Sequence, residues 1–295
     1  MKIEPGVVDL TLAVPNAARA VDLLSTASGL SKLKLKEAMA KGAVWLRRGR
    51  SKPQRLRRAS AEVRAGDSLR LCYDEKVLAA PVPIPVCIED HRDFSVWFKP
   101  AGLLAQPTEF GDFCSLLRQA EIHFARKREV FPVHRLDREV SGLMLVAHSR
   151  KEAARLSRCF AERLVGKSYL AGVRGRIVKG AKLLLDSDLD GKPARTVCLG
   201  LVARSDLDES LVLVSPETGR LHQIRRHLAG HGTPILGDYR YGGVVNQGGM
   251  RLCAVRLLLP VVAGTPGRPI LLPRQYLPDW AVEEGIVLEA MAAWP

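Results

Sequence analysis

The spacing of apolar and polar residues near the N-terminus predicts a small module of helices and strands. Apolar positions recur at helical intervals over residues 17–28 and over 31–40, where Ser31 can act as the N-cap. Apolar runs over 43–47 and 68–73 predict strands. We therefore expect a small α+β domain at this end of the chain.

Beyond residue 85 the pattern predicts buried strands and amphipathic helices that do not alternate regularly. Short apolar runs over 94–98, 143–147 and 211–215 predict buried strands. Because helices do not alternate with these strands, we expect an α+β fold with a mixed, largely antiparallel sheet, not a doubly wound α/β fold.

Two helices are predicted in the same region. The first begins at Ser149, which has Glu152 three residues on, the spacing of a capping box. The second runs over 221–229 and ends at Gly230. The apolar residues expected to face the core are Ala153, Leu156, Phe160 and Leu164 in the first helix and Leu221, Ile224 and Leu228 in the second.

Alternate prolines in residues 81–85 mark a domain boundary, because proline at every second position enforces a stiff, extended chain. The length of 295 residues is compatible with about two domains. We expect an N-terminal domain over 1–80, a linker over 81–85 and a second domain over 86–295.

Composition excludes several classes of protein. Hydrophobic residues make up 47% and charged residues 26% of the chain, as in ordinary globular domains. The longest stretch without charged residues, 77–88, is shorter than the roughly 18 residues of a membrane helix. The N-terminus lacks the apolar block of a secretory signal, and the six cysteines are too widely spaced for paired CxxC ligands. We expect a cytoplasmic protein with reduced thiols, no metal ion and no membrane contact.

The distribution of charge indicates a polyanion as partner. Lys and Arg number 45 against 31 Asp and Glu, which gives a net charge of +14. Eleven basic residues and one acid, Glu37, fall within residues 32–58. Basic side chains bind phosphates by displacing counterions, so this segment predicts a contact with nucleic acid. A solvated basic face without a ligand is the alternative.

A polar cluster precedes the predicted strand over 143–147. In FPVHRLDREVSG, residues 131–142, Asp137 lies between two arginines and is followed by a Ser-Gly turn. A carboxylate at the mouth of a buried strand can be held rigidly and kept ionised by guanidinium groups. Asp137 is therefore a candidate catalytic residue, and a surface turn with local ion pairs is the alternative.

Three arginines and two histidines lie within residues 220–227, at the start of the second predicted helix. Arg225 follows Ile224 at the border of the buried face, so its guanidinium can reach inward to pair with an Asp. Arg220 is expected to stay near solvent and phosphates. A basic solvent-exposed helix face is the alternative.

A third segment, GKSYLAGV at 166–173, places Tyr169 on an incoming strand. A tyrosine on a strand commonly packs in a core or on a sheet face. In a protein that binds nucleic acid, an aromatic ring beside a carboxylate can instead stack on a base that has left its helix.

These segments together resemble the three signature motifs of the RluA family of pseudouridine synthases. In chain order they are His134-Arg135-Leu136-Asp137 with Ser141-Gly142-Leu143, Lys167-x-Tyr169, and Gly219-Arg220-x-His222-Gln223-Ile224-Arg225. The resemblance extends from about Val86 to the C-terminus and includes FKPAGL at 98–103, DGKPAxT at 190–196 and LGDxxYG at 236–242. The N-terminal domain is similar, more loosely, to the alpha-L RNA-binding motif.

The resemblance implies an enzyme with the pseudouridine synthase fold that converts uridine in RNA to pseudouridine without a cofactor or metal ion. Asp137 would attack the sugar or take a proton from it, and Arg225 would hold Asp137 by a salt bridge. Tyr169 would stack on the flipped uracil and assist proton removal, and Arg135 would fill the gap that the base leaves. The other residues expected to contact RNA are His134, Arg220, His222, Lys99, Lys167, Arg47, Arg55, Arg57 and Arg58.

Two positions depart from the family pattern. Val140 stands where the family usually has Thr, and Cys253 stands where it usually has His. Val140 keeps the β-branched shape but lacks a hydroxyl, so the loop that carries Asp137 loses a possible hydrogen bond.

The resemblance favours large-subunit ribosomal RNA as the substrate, with tRNA as the alternative, and a monomer is expected. A non-catalytic RNA-binding assembly factor on the same fold is the rival hypothesis. It would not require Asp137, Tyr169 and Arg225 together. A nuclease or a glycosidase is a weaker hypothesis, because neither a metal-ligand cluster nor a second catalytic acid is evident.

Overall fold

The chain folds into two units, and their boundary follows the proline-rich segment only in part. The structure is a computed structural model that describes residues 3–4, 6–244, 246–260, 267, 269–281 and 284–294. Unit 1 comprises residues 1–83 and 106–123, and unit 2 comprises residues 84–105 and 124–295.

Residues 106–123 depart from the expected division, which assigned them to the second domain. Asp112 accepts a hydrogen bond from Arg57, 55 positions away, and the carbonyl of Glu109 accepts one from the indole of Trp45 at 3.1 Å. These contacts attach the segment to unit 1. The prediction was wrong here because a long-range ion pair leaves no signal in the local pattern.

Unit 1 is built around a five-stranded antiparallel sheet. Its elements in chain order are β1 Ile3–Glu4, β2 Val7–Ala13, β3 Ala18–Arg19, α1 Ala20–Ser28, α2 Lys32–Ala40, β4 Val44–Arg48, β5 Gln54–Arg55, β6 Glu62–Val63, β7 Asp67–Asp74, α3 Glu75–Ala79 and α4 Leu116–His123. The sheet order is β1-β2-β7-β4-β5, and β3 pairs with β6 in a separate ribbon. Alternate residues of β4 and β7 pack against α1 and α2 and form the core of the unit.

The helices predicted in unit 1 are present with small shifts. Ser31 caps α2, since its hydroxyl accepts a hydrogen bond from the backbone N–H of Lys34 at 3.3 Å. The first helix begins at Ala20 and not at residue 17, because Ala18–Arg19 pairs with Glu62–Val63 as a strand. Extended pairing therefore shortens the helix that the apolar spacing predicts.

A mixed sheet of ten strands forms the centre of unit 2. The elements are β8 Val86–Asp90, β9 Phe94–Lys99, β10 Phe131–Pro132, β11 Ser141–Ala147, α5 Arg150–Ala161, β12 Gly166–Arg174, β13 Lys182–Leu185, β14 Thr196–Arg204, β15 Glu209–Pro216, α6 Gln223–Gly230, β16 Leu252–Leu258, β17 Pro269–Leu271 and α7 Glu284–Ala293. The order is β13-β14-β15-β12-β16-β11-β9-β8, with β10 beside β11 and β17 beside β16. Among the described strands, only β11 and β16 pair in parallel. The expected α+β fold with a largely antiparallel sheet is confirmed.

The two helices predicted in unit 2 form, but each is shorter than its apolar pattern. Ser149 caps α5, its hydroxyl accepting from the backbone N–H of Glu152 at 3.1 Å. Leu164, expected in the core, is 52% exposed because α5 ends three residues earlier. Leu221 is 61% exposed because α6 begins only at Gln223. Over the described part of the chain, no helix has the length and apolar character needed to cross a membrane.

The parallel pair of β11 and β16 sets the position of the loop that precedes β11. Gly142 lies opposite Ala254 in this pair and has a φ of 117°. A Cβ on Gly142 would lie 2.2 Å from the carbonyl oxygen of Ala254. The glycine that follows the Asp137 loop is therefore required by the close approach of two backbones.

Gly142→Ala is expected to lower the free energy of unfolding by about 3 kcal/mol or more, because both the positive φ and the contact with Ala254 oppose a Cβ. Gly180→Ala is the matched control. Gly180 has a φ of 81° but no atom within 4 Å of an added Cβ, so only the backbone penalty, about 1 to 2 kcal/mol, applies. Urea unfolding measures both losses. Equal losses would contradict the close-approach explanation.

Candidate active site

Residues from three distant segments line one cavity of about 530 Å³ in unit 2. The loop before β11 contributes Asp137, the start of β12 contributes Tyr169, and α6 contributes Arg225. Other residues on the cavity wall are Val133, His134, Arg135, Leu136, Val140, Lys167, Arg220 and His222. The fold therefore brings together the three residues expected to carry the chemistry, although 88 positions separate Asp137 from Arg225.

Asp137 forms the ion pair with Arg225 that the sequence predicts. Oδ2 of Asp137 lies 3.0 Å from Nη1 of Arg225. The same oxygen lies 3.5 Å from Nε2 of His222. The Asp137 side chain is 20% exposed and lines the cavity, so one side of the carboxylate meets the guanidinium while access from the cavity is retained.

A second carboxylate, Asp238, holds the guanidinium of Arg225 along another edge. Nε and Nη2 of Arg225 donate to the two oxygens of Asp238 at 2.7 and 2.8 Å, and both side chains are buried. Burial lowers the pKa of Arg225, but hydrogen bonds to Asp238 and Asp137 outweigh it and leave the pKa above its ordinary value. Arg225 is therefore a fixed positive charge whose remaining edge is aimed at Asp137.

His222 completes the polar cluster at the start of α6. Its backbone is left-handed, with a φ of 52°, and Nδ1 lies 2.9 Å from the hydroxyl of Tyr241. Burial lowers the pKa of His222, although the carboxylate of Asp137 acts in the opposite direction. The neutral ring is thus favoured, with Tyr241 at one nitrogen and Asp137 near the other.

The sequence did not predict the roles of Asp238 and Tyr241. Both belong to the segment 236–242, which carries part of the family resemblance. That segment was the available signal, but nothing in its local pattern indicates that Asp238 pairs with Arg225.

A β-bulge directs Tyr169 into the cavity. In the pairing of β12 with β16 the register shifts between Ser168, opposite Arg256, and Tyr169, opposite Ala254. A bulge bends a strand and changes the direction of its side chains. Burial raises the pKa of Tyr169, and the charge of Asp137 raises it further. The phenol therefore stays protonated at neutral pH and offers a flat, uncharged ring.

Lys99 is buried, whereas the sequence prediction places it in contact with phosphate. Its side chain is fully buried, and Nζ donates to the carbonyl oxygens of Pro100, Leu103 and Arg138 at 3.1, 2.8 and 3.2 Å. Burial lowers the pKa of Lys99 to about 7. Lys99 ties a neighbouring turn to the loop that carries Asp137, and its burial explains why the prediction was wrong.

His134 is built into the wall of the cavity. Its Nε2 accepts a hydrogen bond from the backbone N–H of Leu145 at 3.0 Å, and its ring stacks on Phe160 with centroids 4.3 Å apart. Burial lowers the pKa of His134 to about 3. A neutral imidazole therefore joins the Asp137 loop to β11.

Five residues expected to contact RNA remain accessible. Arg135 is exposed at the cavity, and Lys167 and Arg220 are half-buried on its wall. Burial lowers the pKa of Lys167. Arg47 and Arg58 are exposed in unit 1. These side chains retain the solvent access that a phosphate contact requires.

Arg55 and Arg57, both predicted to contact RNA, are half-buried and form ion pairs within unit 1. Both pair with Asp112, whose side chain is only 6% exposed, and Nε of Arg55 lies 3.4 Å from Oδ2 of that carboxylate. Nη2 of Arg55 also donates to the carbonyl of Thr108 at 2.6 Å. These two charges balance a buried carboxylate, a role that the sequence did not predict.

The two departures from the family pattern are buried. Val140 contributes an apolar side chain to the cavity wall. Cys253 lies opposite Ser141 in the pair of β11 and β16, and burial raises the pKa of its thiol to about 12. Among the residues that the structure describes, no group of three His, Cys, Asp or Glu side chains is placed to hold a metal ion.

Arg225 and its neighbour Arg226 allow a buried ion pair to be compared with an exposed one. Arg225 pairs with the buried Asp238, whereas Arg226 forms a bidentate pair with the exposed Asp190. Asp238→Asn is expected to lower the free energy of unfolding by about 3 kcal/mol, since it weakens the balance of a buried guanidinium. Asp190→Asn should leave stability nearly unchanged, because water screens an exposed pair. Urea unfolding compares the two variants, and equal effects would contradict a special role for Asp238.

The stability of the chain is expected to fall as the pH is lowered from 6.5 towards 3. Unfolded His134 takes up a proton near its ordinary pKa of 6.5, whereas the buried ring takes one up only near 3. The resulting contribution is up to about 1.4 kcal/mol per pH unit in this window. His134→Gln keeps an acceptor but does not titrate, so its unfolding free energy should vary less between pH 7 and pH 4. Parallel curves for the two proteins would contradict this assignment.

Comparisons with known proteins identify a family model and several relatives that this chain resembles. A family model described as RNA pseudouridylate synthase matches residues 93–230, which include Asp137, Tyr169 and Arg225. The chain is 30% identical over 245 residues to a Nitrosomonas europaea protein named ribosomal large subunit pseudouridine synthase D. That match covers 75% of this chain and 65% of the relative, slightly under two thirds of the relative's own length.

Two further proteins are similar to the chain. It is 35% identical over 167 residues to tRNA pseudouridine synthase C of Haemophilus ducreyi, a match that covers 49% of this chain and 68% of that protein. The solved structure of Human RNA Pseudouridylate Synthase Domain Containing 1 is 25% identical, with a TM-score of 0.56, and the match covers 73% of this chain and 98% of that one. Together with the ordered motifs and the shared fold, these matches show that the chain belongs to the RluA family of RNA pseudouridine synthases.

Proposed function

We propose that the chain is an enzyme that isomerises uridine to pseudouridine in RNA. The observation that carries this proposal is the ion pair of Asp137 and Arg225, at 3.0 Å, in a cavity whose wall includes Tyr169. A carboxylate paired with a guanidinium beside a flat ring suits a base that has been flipped out of an RNA helix. Membership of the family supports the same activity.

The reaction breaks the bond between the ribose and the uracil nitrogen, lets the base turn, and joins the ribose to a ring carbon. That carbon loses its proton, and the freed nitrogen gains one. Asp137 either attacks the sugar or removes a proton from it, and both routes need the ionised carboxylate. Arg225, held by Asp238, places a fixed positive charge 3.0 Å from that carboxylate. Tyr169, as a protonated phenol, stacks on the uracil while it turns.

Basic residues at the cavity suit the phosphates that flank the target uridine. Arg135 is exposed beside the carboxylate, where it would fill the gap left by the flipped base. A second cavity of about 470 Å³ shares Lys167 and Arg220 with the first and adds Arg163. Because the nucleotides next to the target are covalently joined to it, this second cavity is suited to a neighbouring nucleotide.

We further propose large-subunit ribosomal RNA as the substrate and the N-terminal residues 1–80 as an RNA-binding domain of the alpha-L type. The name of the Nitrosomonas relative supports the first proposal, whereas the name of the Haemophilus relative supports tRNA. The net charge of +14 and the basic segment 32–58 support an RNA contact outside the cavity.

Asp137→Asn is expected to reduce pseudouridine formation at least about 10³-fold, because the amide can neither attack nor accept a proton as the carboxylate does. The measurement maps pseudouridines across total RNA from cells that lack the gene and carry either the wild type or the variant. Asp206→Asn, in the exposed turn between β14 and β15, is the control and should retain every wild-type site.

Each outcome of this experiment has a definite meaning. Equal product from wild type and Asp137→Asn would contradict the catalytic assignment. RNA binding by the wild type without pseudouridine on any cellular RNA would favour the non-catalytic assembly factor. The positions of the sites that depend on Asp137 would distinguish ribosomal RNA from tRNA.

A further inference from the structure

The sheet of unit 1 carries a cavity of about 580 Å³ on the face opposite α1 and α2. Successive side chains of a strand point to opposite faces of a sheet. Alternate residues of β4 and β7 pack in the core, and the intervening residues Trp45, Arg47, Ser68 and Arg70 line the cavity with 107–109. This cavity, here called the Trp45 cavity, lies outside the active site described above.

Trp45 presents an aromatic ring that needs no further polar partner. Its indole N–H donates to the carbonyl of Glu109 at 3.1 Å. The guanidinium carbon of Arg55 lies 4.2 Å from the ring centroid and covers one face. The ring nevertheless lines the cavity and is partly exposed. A ligand in the cavity can therefore reach the exposed part of the ring.

The charges on the floor of the Trp45 cavity are balanced within unit 1. Arg70 donates to both oxygens of Asp9 at 3.0 and 2.8 Å and lies 2.6 Å from the carboxylate of Glu109. Arg55 lies 3.4 Å from the carboxylate of Asp112. These pairs hold the guanidinium groups in place and leave the floor close to neutral. A fixed, neutral and partly aromatic surface suits an uncharged base better than a phosphate.

Unbalanced positive charge lies beside this floor, at the end of β4 and in the turn that joins β4 to β5. Arg47, Arg48, Arg50 and Lys52 are all exposed, and none of them forms an ion pair with another residue that the structure describes. Arg47 also lines the cavity. Cations grouped at the edge of a neutral floor match the phosphates on either side of a bound base.

We propose that the Trp45 cavity binds one unpaired nucleotide of RNA, with the base stacked on Trp45 and the adjoining phosphates on Arg47 and its neighbours in 47–52. This inference rests on the proposed function only for its choice of RNA as the partner. Within the basic segment 32–58 it assigns the contact to the end of β4 and the turn that follows it, and not to the lysines of α2.

The test uses a fluorescein-labelled single-stranded RNA of 12 nucleotides and mixed sequence, titrated by fluorescence anisotropy against the full chain carrying Asp137→Asn. Adding Trp45→Ala is expected to weaken binding about 5- to 100-fold, the range found for loss of one stacked base. Trp45→Phe keeps a ring, so the loss should stay within about threefold. The same RNA in a fully paired duplex should bind equally well with and without Trp45→Ala.

A matched pair of charge variants tests whether RNA contacts the sheet face at Arg47 or the helix α2 at Lys36. Arg47→Gln should lower the slope of log affinity against log salt by about 0.7 units, as expected for one phosphate of a single strand. Lys36→Gln, which removes one exposed charge from α2, should leave the slope unchanged. Unfolding midpoints equal to that of the parent chain establish that each variant is folded.

Several results would overturn the inference. These are unchanged binding by Trp45→Ala, equal losses for both Trp45 variants, or a larger slope change for Lys36→Gln than for Arg47→Gln. The outcomes for the proposed function are separate. A chain that binds single-stranded RNA through Trp45 but forms no pseudouridine refutes the proposed function alone, and a chain that forms pseudouridine but ignores Trp45 refutes this inference alone.

Discussion

The candidate site depends on the position of a single guanidinium. Arg225 donates along one edge to Asp238 and with its remaining nitrogen to Asp137, so the two carboxylates determine each other's placement through a planar group. A flexible ammonium would not impose this geometry. Because the guanidinium is buried and both interactions are charge-assisted, the positive charge persists at any pH at which the protein is folded. This fixed positive charge lies 3.0 Å from the carboxylate of Asp137.

Two side chains, Lys99 and His134, support the loop that carries Asp137. Burial lowers the pKa of both. Lys99 donates to three carbonyl oxygens, one of them in the loop itself, and His134 accepts from the backbone of β11. Both satisfy backbone groups that would otherwise be buried without partners. The arrangement shows that two basic residues next to the Asp137 carboxylate hold the backbone of its loop, whereas Arg225 forms the ion pair with that carboxylate.

The basic residues of unit 1 divide in the same way. Arg55, Arg57 and Arg70 balance carboxylates and hold the segment around Asp112 and Glu109 against the sheet. The cations of 47–52 have no such partner among the described residues and remain exposed. Net charge therefore overstates the number of side chains available to RNA, and the useful quantity is the number of cations left after internal ion pairs are removed.

The sequence by itself determined the fold class, the main strands and helices, and the identity of Asp137, Tyr169 and Arg225, because apolar periodicity and ordered motifs are local properties. It also indicated that Arg225 reaches inward to an Asp. Only the tertiary structure decided that Asp238 shares that arginine, that Lys99 is buried, that Arg55 and Arg57 pair with Asp112, and that residues 106–123 join unit 1. The physical reason is the same in each case. Whether a charged side chain is exposed to solvent or pairs with a carboxylate depends on residues many positions away. The hydrophobic pattern does not indicate which residues these partners are.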